Sequence, residues 1–260
     1  MNLSFQAAIA AAYKSPLQRT RVLSEHWVGS QAYCPNCGNP HVVAYPNNSR
    51  IADFYCPSCN EGYELKSQKR SFGAKLVDGS YPAMLERLTG GRNPNFLLLA
   101  YDAHLLAVLN LLVVPKHFFT PDIIERKRTL PITARRAGWT GCNVLLSGIP
   151  IAGRISLVRD GIIVPKSQVL ASWRKTLFLR EQKDPSARGW LLNVMKCIEN
   201  LKQQTFSIQQ MYTFENDLRR TYPRNMHIKE KIRQQLQVLR DKGYLEFAGR
   251  GTYRLTGDPY

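Results

Sequence analysis

Four cysteines between residues 34 and 59 have the spacing of a metal site. They form two Cys-x-x-Cys pairs, whose members are Cys34, Cys37, Cys56 and Cys59. Zn²⁺ prefers tetrahedral thiolates, and two such pairs separated by roughly 15–20 residues are typical of a four-cysteine zinc site. Two disulfides, or cysteines buried as small apolar groups, are the alternatives, but nothing in the sequence indicates an oxidising compartment. Because four thiolates would close the coordination sphere, we expect this Zn²⁺ to be structural.

Three charged residues flank the second cysteine pair. Asp53 lies in the alternating segment 51–55, and Glu64 and Lys66 lie in another alternating segment, 63–66. Alternation predicts strands, in which Glu64 and Lys66 share a face and Asp53 comes beside Glu64 if the two strands pair. Two carboxylates bind Mg²⁺, and a neighbouring lysine can orient an attacking water, which suits metal-dependent phosphodiester hydrolysis. The alternative is three solvated charges on an exposed sheet face, since such short patterns recur by chance.

The surrounding segments predict a mixed α/β core that would position these groups. Residues 5–13, 17–28 and 81–88 predict helices, and the continuous apolar runs 96–101 and 108–114 predict buried strands. Helices that cross between strands would cover the faces of such a sheet. We therefore expect an α+β mixed sheet over residues 1–182 that carries the four-cysteine site as an insertion.

A basic segment, residues 120–143, surrounds a tryptophan. Arg135 and Arg136 precede Trp139, and glycines at 138 and 141 flank the ring. Arginines contact phosphates or guanine edges, and an aromatic ring beside glycines can stack on a base. The alternative is that Trp139 is a core residue of the sheet domain.

The C-terminal part, residues 183–260, predicts a winged-helix domain. Apolar periodicity predicts helices over 190–201, 208–218 and 228–239, followed by a hairpin formed by 244–247 and 252–255. The third helix and the hairpin carry polar side chains that suit a DNA groove, namely Lys229, Lys231, Arg233, Gln234 and Arg250. The alternative is a winged helix that contacts protein.

The overall charge indicates a polyanionic partner. The 260 residues carry a formal net charge of +17, which favours double-stranded DNA, although a generic basic protein would also be charged in this way. No apolar run is long enough to cross a bilayer, and the first residues lack the pattern of a signal peptide. We expect a cytoplasmic monomer whose cysteines stay reduced and available to Zn²⁺.

Several segments together carry a resemblance to a known family. Asp53 with Glu64-Leu65-Lys66 is similar to the PD-(D/E)xK nuclease signature, with Ala52 in place of the proline. The runs YCPNCG, ADFYC with ELKS, TARRAGWTGCN and HIKEKIRQQLQVLRDK resemble the DpnI family of methyl-directed type II restriction endonucleases. The resemblance covers nearly the whole chain and is weaker at the N-terminus and around residues 103–112.

The resemblance implies an activity and two readers. It implies Mg²⁺-dependent double-strand cleavage at adenine-methylated GATC, with a blunt cut inside the site. It also implies that Trp139 meets the methylated adenine and that the sheet domain and the winged helix both read the methyl group. Two rivals remain open: a PD-(D/E)xK repair nuclease without methyl preference, and a zinc-containing winged-helix regulator that binds DNA without cleaving it.

Overall fold

The computed structural model describes residues 1–46 and 52–257. Ile51, the first residue of one predicted strand, lies outside this part. The helices are α1 (Pro16–Gln31), α2 (Tyr81–Thr89), α3 (Lys166–Arg174), α4 (Pro185–Leu201), α5 (Ile208–Tyr212), α6 (Glu215–Thr221) and α7 (Ile228–Asp241). The strands are β1 (Val43–Ala44), β2 (Phe54–Tyr55), β3 (Gly62–Lys69), β4 (Lys75–Ser80), β5 (Asn95–Asp102), β6 (Ala107–Val114), β7 (Ile124–Arg126), β8 (Gly141–Leu145), β9 (Ile155–Arg159), β10 (Ile162–Ile163), β11 (Thr205–Ser207), β12 (Leu245–Gly249) and β13 (Thr252–Leu255). Short 3₁₀ segments are Ala7–Ala10, Lys116–Phe118, Pro121–Ile123, Leu146–Gly148, Ile151–Gly153 and Leu177–Arg180.

A mixed seven-stranded sheet forms the centre of the N-terminal part. Its strand order is β1-β2-β3-β5-β6-β9-β10. Strands β3 and β5 are parallel, and the other neighbours are antiparallel. A parallel pair needs a long crossover, and the chain between β3 and β5 supplies one through β4 and α2. The predicted α/β core with an inserted cysteine cluster is confirmed.

Two apolar layers cover the two faces of this sheet, and β5 is therefore buried on both sides. Phe96 and Leu98 belong to the buried cluster that includes Met84 of α2. Leu97, which points to the opposite face, belongs to the cluster that includes Trp27 of α1. A continuous apolar run is the sequence pattern of a strand with both faces covered. The face beneath α2 also carries the polar residues of β3.

A second, smaller sheet stands beside α2 and has the strand order β4-β8-β7. The connection from β7 to β8, residues 127–140, is called the β7–β8 loop below. Its two ends are held together by backbone hydrogen bonds from Lys127 N to Gly141 O (3.0 Å) and from Leu130 N to Trp139 O (2.9 Å). The basic segment identified in the sequence is therefore a long hairpin loop on this sheet.

The C-terminal part is a winged helix, as predicted. Helices α4, α5, α6 and α7 pack with the three-stranded sheet β11-β13-β12. Ser207 caps α5 in a reciprocal capping box with Gln210. No helix among the described residues combines the length and apolarity needed to cross a membrane.

Two helix predictions were wrong. The predicted helix over 208–218 is divided into α5 and α6, because Phe214 N bonds to Met211 O (3.2 Å) in a tightened turn and Phe214 leaves helical geometry. The predicted helix over 5–13 is only the 3₁₀ segment Ala7–Ala10. Phe5 N instead bonds to Leu106 O (2.7 Å), which holds this segment against the end of β6.

Candidate functional site

Two matching turns bring the four cysteines together. In the first, Gly38 N donates to Cys34 O, and in the second, Asn60 N donates to Cys56 O, at 2.8 and 2.9 Å. Left-handed backbone at Gly38 (φ 81°) and Asn60 (φ 56°) allows both turns to close tightly. The four Sγ atoms all lie within 4.8 Å of one another.

The cluster fits a structural Zn²⁺. The distances Cys34 Sγ–Cys59 Sγ and Cys37 Sγ–Cys56 Sγ are 3.6 and 3.5 Å. A tetrahedron with Zn–S bonds of about 2.3 Å has S–S edges of about 3.8 Å, whereas a disulfide needs about 2.05 Å. Burial raises the pKa of the Cys34 thiol, and a bound cation offsets this by favouring the thiolate. For Cys56, backbone N–H groups outweigh the effect of burial and lower the pKa to about 7.

The structure places Asp53 across from β3, beside Glu64. Strands β2 and β3 pair antiparallel with Phe54 opposite Tyr63, and Asp53, which directly precedes β2, donates its backbone N–H to Tyr63 O at 3.0 Å. The carboxylate of Asp53 accepts a hydrogen bond from Leu65 N at 2.7 Å, which fixes its orientation against β3. Burial raises the pKa of Asp53, and the negative charge of Glu64 adds to this increase. The carboxylates are therefore close enough to repel each other.

Glu64 and Lys66 point to the same face of β3, and Lys66 Nζ lies 2.6 Å from Glu64 Oε1. Arg87 of α2 donates to Glu64 Oε2 at 2.6 Å, and Lys66 also reaches Asp78 Oδ1 of β4 at 2.7 Å. Burial by itself would raise the pKa of Glu64, but Lys66 and Arg87 outweigh it and lower the pKa. Burial would lower the pKa of Lys66, but Glu64 and Asp78 raise it. This ionic network keeps Glu64 and Lys66 charged inside the protein.

Arg87 and Asp78 are the members of this site that sequence reasoning missed. They come from α2 and β4, and no short motif joins them to Asp53, Glu64 and Lys66. Glu25 of α1 is a partly buried neighbour whose charge also raises the pKa of Asp53. Glu25 itself pairs with Arg21 at 2.6 Å, one turn away on α1.

The β7–β8 loop presents the three residues proposed to contact DNA. Arg135 and Arg136 are exposed, and Trp139 is partly exposed. The guanidinium of Arg136 lies over the indole ring, with its Cζ 4.5 Å from the ring centroid. The ring rests on Gly141, where an added Cβ would stand 2.6 Å from Trp139 Cη2. Trp139 is therefore half-buried against Arg136 and Gly141 of its own hairpin, and it belongs to neither apolar core cluster.

Helix α7 presents its polar side chains away from its buried stripe. Lys229 pairs with Glu215 at 3.3 Å, and Arg233 pairs with Glu230 at 3.0 Å. Lys231 donates to Gln234 at 2.8 Å. These contacts leave a polar face, since Lys229, Arg233 and Gln234 are exposed.

Arg250 is exposed in the tight turn between β12 and β13. Gly251 takes a left-handed φ of 68° there, which permits the turn. The turn holds Arg250 at the end of the wing, apart from the helical residues.

Nearly the whole chain matches two family descriptions. Residues 1–182 match DpnI, described as the Dam-replacing family. Residues 186–255 match DpnI_C, described as the Dam-replacing HTH domain. A mixed α/β sheet with a four-cysteine cluster, followed by a winged helix, agrees with both matches. The chain belongs to the DpnI family of methyl-directed restriction endonucleases, which bind DNA through such a helix-turn-helix domain.

Proposed function

We propose that this protein is a type II site-specific deoxyribonuclease that cleaves both strands of DNA at adenine-methylated GATC in the presence of Mg²⁺. The observation that carries the proposal is that hydrogen bonds to Tyr63 and Leu65 hold Asp53 beside Glu64, with Lys66 2.6 Å from Glu64 on the same strand face. Family membership supports an endonuclease, and the net charge of +17 supports a DNA substrate.

The donor set at the trio of Asp53, Glu64 and Lys66 fits Mg²⁺. Asp53 and Glu64 would hold the ion, because carboxylate oxygens are the ligands that Mg²⁺ prefers. When bound, Mg²⁺ supplies charge neutralisation at the scissile phosphate and a more acidic water. Lys66 donates a hydrogen bond to the attacking water and orients it toward the phosphorus. Arg87 pairs with Glu64 Oε2 at 2.6 Å and would hold this carboxylate in place when the ion is bound.

Two surfaces are proposed to read the methyl group. The β7–β8 loop would bring Trp139 against the methylated adenine while Arg135 and Arg136 contact phosphates. Helix α7 would enter the major groove with Lys229, Lys231, Arg233 and Gln234, and Arg250 would contact the backbone from the wing. One methyl group is worth on the order of 1 kcal/mol, or about fivefold. Two readers used in one event would multiply this factor.

The proposal includes the organisation of the chain. Residues 1–182 would form the catalytic domain with the zinc site, and residues 183–260 would form the DNA-reading winged-helix domain. We propose that the protein acts in the cytoplasm as a monomer, where a reducing environment keeps the four thiols available for Zn²⁺.

The decisive experiment compares two preparations of one plasmid, one methylated at adenine in GATC and one unmethylated, each incubated with the protein and Mg²⁺. Cleavage of the methylated plasmid alone is expected. Cleavage of both would remove the methyl preference and favour a repair nuclease. Retardation of both on a gel without cleavage would favour the regulator.

Matched variants then test the roles of the trio. Asp53→Asn removes one carboxylate with little change of shape and should abolish cleavage while DNA binding persists. Glu86→Gln is the control, because Glu86 is an acid on α2 whose side chain is 74% exposed and pairs with Arg92 at the surface. Normal cleavage by Asp53→Asn would refute the assignment.

A further inference from the structure

Lys66 is held by two carboxylates that come from different sheets. Glu64 Oε1, from the same strand, lies 2.6 Å from Lys66 Nζ, and Asp78 Oδ1, from β4, lies at 2.7 Å. The side chain of Asp78 is only 6% exposed, so this second contact is shielded from solvent. A shielded ion pair restrains a flexible lysine more effectively than an exposed one.

The backbone fixes Asp78 at this point. Asp78 is opposite Cys142 in the pairing of β4 with β8, and Ser80 is opposite Gly141, so Gly79 forms a bulge between them. Bulges re-aim neighbouring side chains. Gly79 N donates to Asp78 Oδ1 at 2.8 Å, the same oxygen that receives Lys66. The other oxygen, Oδ2, is buried and has no hydrogen-bond partner in the described part of the chain.

We propose that Asp78 is a positioning residue for the cleavage reaction, which it serves by holding the ammonium group of Lys66 in place; this rests on the function proposed above. Glu64 is shared between Lys66, Arg87 and the proposed Mg²⁺, so it cannot restrain Lys66 fully by itself. Asp78 is not one of the proposed Mg²⁺ ligands, so it would keep its contact with Lys66 when Glu64 binds the ion. A displacement of about 1 Å in a catalytic group can reduce a rate by about 10²-fold.

The contact also joins the trio to the sheet that carries the β7–β8 loop. Tyr81 directly follows β4 as the first residue of α2, and its N–H donates to Thr140 O at 3.0 Å; Thr140 directly follows Trp139. Asp78 therefore holds Lys66 in a fixed relation to the surface proposed to read the methylated base. Substitution of Asp78 removes the direct ion pair between this sheet and the trio.

The test is Asp78→Asn, which retains the shape and the hydrogen bond from Gly79 but removes the charge. We expect the single-turnover cleavage rate to fall by about 10- to 100-fold, whereas Kd for the methylated duplex in Ca²⁺ and the Tm stay close to those of the wild type. Glu125→Gln is the matched control. It removes the ion pair between Glu125 of β7 and Lys75 (2.6 Å), which lies on β4 like Asp78, and it leaves the contacts of Lys66 unchanged. This control should cleave normally.

A double-mutant cycle tests whether Asp78 acts through Lys66. In a Lys66→Met background, measured over long incubations, Asp78→Asn should cause no further loss of rate. A further loss equal to that in the wild type would overturn the proposal, and so would an unchanged rate in the single variant. A parallel loss of Tm and DNA affinity would show a purely structural role and would also overturn it.

A second readout does not require activity. Reductive methylation followed by peptide mass spectrometry should modify Lys66 faster in Asp78→Asn than in the wild type, because the ammonium group has lost a restraint. An unchanged reaction rate at Lys66 would refute the positioning role even if the wild-type protein cuts DNA. If the wild-type protein cuts no DNA, the proposed function fails, while faster modification would still establish that Asp78 holds Lys66.

Discussion

Gly141→Ala would displace Trp139 without removing it, and so tests whether the position of the ring matters for reading methylated adenine. The new Cβ would stand 2.6 Å from Trp139 Cη2 and 2.8 Å from Cζ3, whereas ordinary contact begins at 3.4 Å. The ring must therefore move by about 0.8 Å, which is 3.4 − 2.6. Such a shift is enough to separate an apolar surface from a methyl group, because dispersion contacts weaken over a gap of this size.

The expected effect is a loss of selectivity. If the ring contacts one methyl group, the displacement removes on the order of 1 kcal/mol of discrimination, or about fivefold in the ratio of cleavage rates on methylated and unmethylated duplexes. The assay is single-turnover cleavage of two duplexes that differ only in N6-methylation of GATC. Trp139→Ala sets the largest effect that the ring can have, and the Tm of each variant shows whether β8 remains intact.

Gly73→Ala is the matched control, because a Cβ at Gly73 meets no atom within 4 Å among the described residues beyond its two chain neighbours. It should leave both the selectivity ratio and the Tm unchanged. An unchanged ratio in both Gly141→Ala and Trp139→Ala would refute a role for the ring in reading the methyl group. A changed selectivity ratio in Trp139→Ala but not in Gly141→Ala would refute the inference that the contact with Gly141 sets the position of the ring.

Three further predictions concern the metal, the pH dependence and the wing. Cys37→Ser should lose bound zinc in native mass spectrometry and lower the Tm, whereas Cys142→Ala, at a buried cysteine outside the cluster, should keep the zinc. Burial, aided by the charge of Arg180, lowers the pKa of His117 well below its usual value. Below about pH 6.5, His117 is therefore protonated in the unfolded chain but stays neutral in the native state. The free energy of unfolding falls by up to about 1.4 kcal/mol per pH unit as the pH drops through this range. His117→Gln should lessen this fall in denaturant titrations at pH 7.5 and 5.5, and an equal fall in both proteins would contradict it. Arg250→Ala should weaken binding to methylated and unmethylated duplexes equally and reduce the salt slope by about 1; a change in methyl selectivity would contradict the assignment of Arg250 to the DNA backbone.

The sequence predicts the parts of the site whose geometry is local. Two Cys-x-x-Cys turns place sulfurs within a few residues, and a Glu-x-Lys pair in a strand shares one face by the period of two. The start of α4 also depends on neighbouring residues alone, but the apolar pattern predicts a helix only from residue 190, whereas α4 begins at Pro185. Asp184 accepts from Ser186 N and Ala187 N ahead of Pro185, which is a capping arrangement that the polar composition of residues 180–188 concealed.

The ionic partners of the trio could not be predicted in this way. Asp78 and Arg87 reach Lys66 and Glu64 only because β4 leaves the main sheet and α2 returns across its face. Their sequence separations from these partners, 12 and 23 residues, match no periodic pattern. The division of α5 from α6 could not be predicted either. The apolar spacing over residues 208–218 is compatible with one helix, but the structure has two short helices that pack on α7.

The packing of α4 determines how reading by the winged helix should be tested. Asn193 of α4 donates to Asp122 at 2.9 Å, and Asp122 lies in the 3₁₀ segment that directly precedes β7. Buried residues of α4, such as Val194 and Met195, share one apolar cluster with Val144 of β8. Cutting the chain near residue 182 would expose this surface and change the winged helix itself. The contribution of α7 to methyl reading is therefore measured best by point substitutions in the full chain, where the winged helix and the β7–β8 loop keep the relative position that simultaneous reading of one site requires.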